Sequence, residues 1–379
     1  MPRGVSTVVL IGGGVIGCAT ALTLARRGVR AIVLERGTTR TEQPGETGVP
    51  SWAAAGILSA QVATKTDGPL SRLCVASRAL YPAFAERIRS LTGRDVELRS
   101  AGVLRPAWSA AELADLRAEI AWQERVGLRV EHLDAAATRA LEPALSHEIA
   151  GSVRFPDDPR IDPPALLAAL RDAIERAGAE LRFGAEAQRV IERDGRARGV
   201  VLRDGTIVEA DTVVVTAGAW SSLVEGTTLP TDAVRPARGQ IVELRVPEQI
   251  LRGVVEGDVY LSPRDDGRIL VGSTVEHVGF QPVTTAVTVR DLITAAIRLA
   301  PALENAAFSR AWGGLRPYAA DELPILGPTA IEGLLVATAH FRNGVVLAPV
   351  TADVITATIL GEPVAHDVAA FSPSRLANA

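Results

Sequence analysis

The chain has 379 residues, 47% of them apolar, and a formal net charge of −4. That length holds two domains and a large core, and the sequence carries no basic patch of the sort that tracks nucleic acid. The only lysine, Lys65, sits in a polar stretch without a motif, so a catalytic Schiff base has no seat; two cysteines (Cys18, Cys74) and five scattered histidines give no disulfide framework and no metal-ligand spacing.

In chain order, "TVVLIG" reads as a buried strand, "GGGVIG" as a tight turn, "CATALTLARRG" as a helix stopped at Gly28, and "VRAIVLERG" as a second strand. This is one βαβ unit. Four glycines interrupt the apolar stretch, so it reads as strand, turn and helix and not as a signal or membrane segment, and no other span is long enough to cross a bilayer. With so few cysteines the expected compartment is reducing, hence cytoplasmic.

A polar loop runs from Gly37 to Pro50, followed by the small-residue run "SWAAAGILSAQ". Residues 71–92 have helical periodicity, and residues 98–145 hold short strands and a charged helix, "SAAELADLRAEIAWQERVG". "DPPALLAALRDAIERAG" is a helix with Asp162 as N-cap, prolines in the first turn and Gly178 as its stop. Short strands lead to "DTVVVTAG", a second meander follows through "GQIVELRV" and "VYLSPRDDGRILVGST", and a helix at 289–299 precedes "SRAWGGLRPYAADELPILGP". The chain closes with the strand "GLLVATA" and an apolar helix after "HFRNG".

"GGGVIG" is a G-x-G-x-x-G between a strand and a helix. Gly12 permits the sharp turn, Gly14 a close approach of backbone to a pyrophosphate, and Gly17 close packing of helix on sheet, with Val15 and Ile16 opening the helix over the phosphates. Glu35 ends the second strand 18 residues after Gly17, where an acid accepts ribose hydroxyls and repels a 2′-phosphate. FAD and NAD both fit this much. No second G-x-G-x-x-G appears, and "DTVVVTAGAWS" ends a strand at Ala217 and Gly218 as if returning beside the first unit, which resembles the second half of an FAD domain of the glutathione-reductase type.

In this order, "VVLIGGGVIGCATALTLARRG", "LERG", "SWAAAGILSAQ", "RPARGQIVEL", "VYLSPRDDGRILVGST", "AWGGLRPYAADELPILGP" and "ATAHFRNGVVLAP" resemble stretches of the D-amino acid oxidase family, and in particular the glycine oxidases of thiamine biosynthesis. The match spans nearly the whole chain. It implies an α/β fold (α+β overall): a Rossmann-like FAD domain with an antiparallel-sheet substrate domain. Residues 1–90, 150–222 and 320–379 would form the discontinuous FAD-binding part, and residues 91–149 and 223–319 the substrate part. FAD would be held without a covalent bond, since no cysteine follows Cys74. The sequence departs from the family where Ala339 replaces a glycine before the histidine, and where "YAAD" replaces a glycine-rich turn.

The resemblance also assigns roles. Arg36 and the run Ala54, Ala55, Gly56 and Ile57 would touch the cofactor. Arg316, in "GLRP", would grip the substrate carboxylate through two parallel bonds; its apolar flanks argue against a solvated surface arginine. Tyr260 would line the active site, though its strand alone suggests core. Arg342 would stand near substrate and flavin, with Asn343, Gly344, Val345 and Val346 offering a helix N-terminus to the reduced ring. Asn343 also fits an ordinary helix cap, and His340 fits a structural role at the turn.

The implied activity is oxidation of glycine, sarcosine or D-alanine, with hydride transfer to flavin and O2 as acceptor, giving an imine, then glyoxylate and ammonia or a hand-off to a thiazole synthase, and H2O2. Relatives assemble into oligomers, so a homo-oligomer is expected. Two other readings stand beside it: a D-amino acid or N-methyl amino acid dehydrogenase that feeds a quinone, and a non-catalytic flavin-binding subunit of a complex.

Overall fold

The computed structural model describes residues 7–40 and 47–378. Part of the polar loop expected between Gly37 and Pro50, and the extreme ends of the FAD-binding stretches at 1–6 and 379, lie outside the described residues. β1 (Thr7–Ile11) turns through three glycines into α1 (Val15–Arg26), and β2 (Arg30–Glu35) follows. β1 and β2 pair in parallel, from Thr7 with Arg30 to Ile11 with Leu34. Their apolar side chains are buried on both faces, as in a sheet covered on either side. Gly12 has φ +112°, and a Cβ on it would lie 2.6 Å from the Thr216 carbonyl oxygen; a Cβ on Gly17 would lie 2.0 Å from that of Gly12. The helix therefore seats directly on the turn, which only glycine allows at these two positions.

α2 (Pro50–Ala53) is a single turn, and α3 (Pro69–Thr92) starts two residues before the expected 71 and ends at Gly93, in the left-handed conformation with φ +74°. β3 (Val103–Ala107), α4 (Ala110–Arg125), β4 (Glu131–Asp134), α5 (Ala135–Leu141) and β5 (Gly151–Phe155) follow. α6 (Pro163–Arg176) has the expected cap: the Asp162 carboxylate accepts the Ala165 N–H at 3.0 Å. Then come β6 (Glu180–Phe183), β7 (Ala187–Arg193), β8 (Arg196–Leu202), β9 (Ile207–Glu209) and β10 (Thr212–Val215). β11 (Arg235–Arg245), β12 (Val254–Glu256), β13 (Tyr260–Pro263), β14 (Arg268–Gly272), α7 (Ala286–Leu299) and β15 (Ala307–Tyr318) form the second meander. β16 (Ile325–Pro328), β17 (Leu334–Thr338) and α8 (Ala348–Leu360) close the chain.

The parallel sheet has the order β16-β17-β10-β1-β2-β6, with β16 antiparallel at its edge. β10 lies beside β1, Val8 opposite Thr212 through Ile11 opposite Val215, which is the return expected of "DTVVVTAG". α1, α3, α6 and α8 cover one face, and the small sheet β7-β8-β9 packs on the other. The second large sheet has the order β15-β11-β14-β13-β12-β3-β5-β4; only β12 and β3 pair in parallel. This is the expected α/β architecture of a Rossmann-like sheet joined to a largely antiparallel one.

Two expectations are corrected. β5 falls inside the stretch 150–222 assigned to the FAD-binding part, yet it pairs with β3 and β4, because Val153 and Phe155 bury against Leu116 and Ile120 of α4. The last helix does not begin at Gly344. Phe341–Asn343 form one 3-10 turn, residues 344–347 continue as a turn, and α8 starts at Ala348 with Pro349 in its first turn.

Candidate active site

At the head of α1 the backbone donors are spoken for unevenly. The N–H of Gly12 bonds to Leu34, that of Gly13 to Glu35 Oε2 at 2.9 Å, and that of Val15 to Ser51 Oγ at 3.1 Å. Among the described residues the N–H groups of Gly14 and Ile16 have no partner, and both residues line a cavity of about 470 Å3. Two free donors at the positive end of a helix, beside a glycine without a side chain, make an anion seat.

Glu35 is buried and uses both oxygens: Oε2 holds Gly13 and Oε1 accepts the N–H of Gly37 at 2.8 Å. Each oxygen keeps a second lone pair for a hydroxyl donor. Behind it the fully buried Arg171 donates to the Gly13 carbonyl at 3.2 Å, stands 3.6 Å from Glu35 Oε2, and lies 5.2 Å from the rings of Trp52 and Phe183. Arg36 stacks on Trp220, 3.7 Å above the ring centre, at the cavity wall. The sequence reading passed over Ser51, Arg171 and Trp220. Arg171 left one signal: it occupies the buried stripe of α6, between Leu167, Leu170 and Ile174, where an arginine needs a reason.

Ala54, Ala55, Gly56 and Ile57 form an extended wall after α2. It is clamped from behind: Trp312 donates to the Ala53 carbonyl at 3.1 Å, and the buried Arg264 donates to that of Ala55 at 2.5 Å. Gly56 has φ +70°, and a Cβ there would meet the Ile161 carbonyl at 2.0 Å.

The C-terminal turn closes the opposite side. Ala339 has φ +56° and Phe341 φ +47°, so the position that carries glycine in the resembling family does need a left-handed backbone. Among the described residues the N–H groups of Gly344, Val345 and Val346 have no partner. They belong to a turn and not to the first turn of α8, and those of Gly344 and Val345 lie at the cavity. Val346 itself is buried in the helical core, where its carbonyl accepts from Ser77, and it does not line the cavity; nor does Gly17. His340 is buried with Nε2 3.1 Å from Thr351 Oγ1, and burial pushes its pKa down to about 3. That is the structural histidine the sequence suggested.

The antiparallel sheet supplies the fourth wall. Arg316 on β15 lies across Gly239 of β11, its Nη1 donating to the Thr274 carbonyl at 2.9 Å and Nη2 to Ser273 Oγ at 2.7 Å. Tyr260 on β13 stands opposite Gly272 of β14, and its phenol lies over that glycine and hydrogen-bonds Ser273. Burial raises the Tyr260 hydroxyl to about 12, offset in part by Arg316, so it is a donor throughout the neutral range. Burial lowers the Arg316 pKa, countered by Tyr260 and reinforced by Arg342. Arg342 is exposed at the cavity, its guanidinium 5.3 Å from the Phe341 ring. In the departing "YAAD" segment, Tyr318 packs edge-on against Phe341 at 5.2 Å.

One cavity therefore gathers the head of α1, Glu35 and Arg36, the 54–57 wall, Ala217 and Gly218, Tyr260, Arg316, Arg342 and the turn at 343–345. The sequence model of the family described as "DAO: FAD dependent oxidoreductase" matches residues 7–358. The chain belongs to this family. As a DAO-family oxidoreductase it takes FAD, and the unpartnered donors of Gly14, Ile16, Gly344 and Val345 around a continuous cavity fit that cofactor.

Among DAO-family relatives, the bifunctional protein ThiO/ThiG of Trichormus variabilis is 36% identical over 92% of this chain, which covers 52% of that protein. The chain thus spans about half the length of the ThiO/ThiG relatives it matches. Glycine oxidase of Geobacillus kaustophilus is 34% identical over 97% of this chain and 96% of its own. The crystal structure of glycine oxidase from that organism superposes with a TM-score of 0.89, at 33% identity, covering 97% of this chain and 98% of the other.

Proposed function

We propose that this chain oxidises glycine or another small amino acid, with O2 as the electron acceptor. The products are an imine, which hydrolyses to glyoxylate and ammonia or passes to a thiazole synthase, and H2O2. The observation that carries this reading is the pairing of Arg316 with Tyr260 in the cavity that also holds the dinucleotide turn. A guanidinium has five N–H donors; two of Arg316 go to Thr274 and Ser273, leaving three for a carboxylate. The Tyr260 phenol adds a fourth donor beside it. Arg342 supplies further positive charge and favours the substrate as an anion.

FAD, when bound, supplies the two-electron acceptor for the substrate Cα–H. Gly12, Gly14, Val15 and Ile16 would receive its pyrophosphate, Glu35 its ribose and Arg36 with Trp220 its adenine end. Ala54–Ile57, Ala217 and Gly218 would flank it, and Asn343, Gly344 and Val345 would donate to its polar ring edge. Arg316 and Tyr260 hold the carboxylate, the 54–57 wall excludes water, and positioning with electrostatics does the protein's share. The glycine oxidase relative supports the substrate class, and relatives named as joined ThiO and ThiG support the hand-off. Cytoplasmic location and a homo-oligomer belong to the same reading; among the described residues no helix is long and apolar enough to cross a membrane.

The purified yellow protein, given glycine, sarcosine and D-alanine in turn, should consume O2 and release equimolar H2O2. Turnover with a quinone and none with O2 would replace the oxidase by a dehydrogenase.

A further inference from the structure

Glu256 ends β12 and stands directly opposite Tyr260 on β13. Residues so paired project to the same face, with Cβ atoms about 5 Å apart. Tyr260 is in turn opposite Gly272, and its phenol lies over that glycine, toward Ser273 and Arg316. Glu256 therefore occupies the other flank of the tyrosine. Along one wall the order is guanidinium, phenol, carboxyl, and all three line the cavity.

The carboxyl of Glu256 makes no hydrogen bond and no ion pair among the described residues. Its charged surroundings come from three elements. Arg105 on the neighbouring β3 is engaged by Glu119 at 2.8 Å, Asp158 beyond β5 is engaged by Arg78 at 2.6 Å, and Arg342 reaches in from the C-terminal turn. Burial raises the Glu256 pKa to about 7, with the two arginines lowering it and Asp158 adding to the rise. The other carboxyls and the imidazole of the cavity are committed or exposed: Glu35 holds two backbone donors, Glu186 is paired with Arg203, His340 is bonded to Thr351, and Asp258 is exposed.

We propose that Glu256 receives the amino end of the substrate and takes its ammonium proton before oxidation. The proposal rests on the amino acid reading above. A small amino acid arrives as a zwitterion, and its carboxylate and ammonium match the cation and the acid at the two flanks of Tyr260. Loss of the Cα–H as hydride requires the nitrogen lone pair. In this step one N–H bond of the ammonium breaks, its electron pair stays on nitrogen, and an O–H bond forms on Glu256. The proton leaves to solvent after turnover. The exchange is internal, so it needs no alkaline medium, and an acid that titrates near neutrality is suited to it.

The test compares the parent and Glu256→Gln holoenzymes. Anaerobic flavin reduction by saturating glycine is followed from neutral to alkaline pH, and the affinities for glycine and for acetate, a carboxylate without the amine, are measured at neutral pH. In the parent the reduction rate should change little above neutrality. In the variant it should fall at least about tenfold at neutral pH, climb by about tenfold per pH unit as solvent removes the proton, and approach the parent at the alkaline end. The variant should also lose the parent's preference for glycine over acetate, with acetate affinity and FAD content unchanged. A uniform loss at every pH, or two profiles of the same shape, would overturn the proposal. Should the parent oxidise none of glycine, sarcosine and D-alanine, the amino acid oxidase reading fails and the proton-transfer step with it, and the affinities then judge the amino seat alone: an unchanged glycine-to-acetate ratio refutes that seat, and a collapsed one supports it.

Discussion

The guanidinium of Arg316 fills the space that a side chain on Gly239 would need: a Cβ there would stand 2.1 Å from Nη1 and 2.4 Å from the central carbon. Gly239→Ala should therefore push Arg316 off the Thr274 carbonyl while leaving the dinucleotide turn alone. The expected result is a rise in KM for the amino acid of about tenfold or more, the cost of one charge-assisted bond, with normal flavin content. Unchanged kinetics would mean that the arginine has room to move and that its observed seat is not needed.

Direct removal of the anchor should cost more. Arg316→Ala leaves an entering carboxylate short of its partner, and kcat/KM for glycine should fall by about a hundredfold or more. Arg316→Lys keeps the charge but loses the planar fork, and should recover only part of the loss. Arg342→Ala should be milder, because that side chain is exposed. Steady-state kinetics on all three variants rank the two arginines; the reverse order would move the carboxylate seat to the C-terminal turn.

The cofactor seat is tested by colour. A valine at Gly14 would put a branched side chain over the two free donors of α1 and within reach of Ser51, whose hydroxyl would lie 3.2 Å from its Cβ. Gly14→Val should purify colourless. In the parent, acid precipitation should release all flavin to the supernatant, since Cys18 and Cys74 are buried and burial pushes both thiols up to about 12. Yellow pellet after acid treatment would contradict non-covalent binding.

His340 gives a stability prediction. Its folded pKa is held down near 3 by burial, against about 6.5 when unfolded. Only the unfolded chain takes up the proton as pH falls below that value. The folded state is therefore favoured fully above the unfolded pKa and loses about 1.4 kcal/mol per pH unit below it from this residue alone. His340→Gln, which can still bond Thr351, should flatten the acid limb of urea midpoints against pH by that one-proton slope. A slope equal to the parent's would mean that the buried ring is already charged.

What was legible in the sequence followed local rules. The turn "GGGVIG" announced itself because each glycine answers a contact within one βαβ unit, and Asp162 because a cap bonds three residues ahead. Tyr260 was found through resemblance alone, and Arg316 through resemblance with its apolar flanks in support. Glu256 was missed, although "VVEGDVY" contains a three-residue Gly-Asp-Val connection that sets Glu256 opposite Tyr260; the register of a hairpin must be fixed before the face of any residue is known. The start of α8 was misjudged because Asn343 and Gly344 look like a cap, whereas Pro349 in the first turn was the better signal. Arg171 and Trp220 act through partners more than a hundred residues away, Gly13 and Arg36 respectively, and no window of sequence contains both.

The carbonyl of Thr216 presses on Gly12, while the turn after β17 supplies the far wall of the same cavity. Walls that meet in space thus leave the ribosome hundreds of codons apart. The glycine turn is synthesised early but stays half a seat until β10 has slotted beside β1 and the segment through Val345 has emerged. Cofactor capture must then wait for that segment, and before it the nascent glycine turn presents an open edge of β1 that chaperones or premature partners can reach.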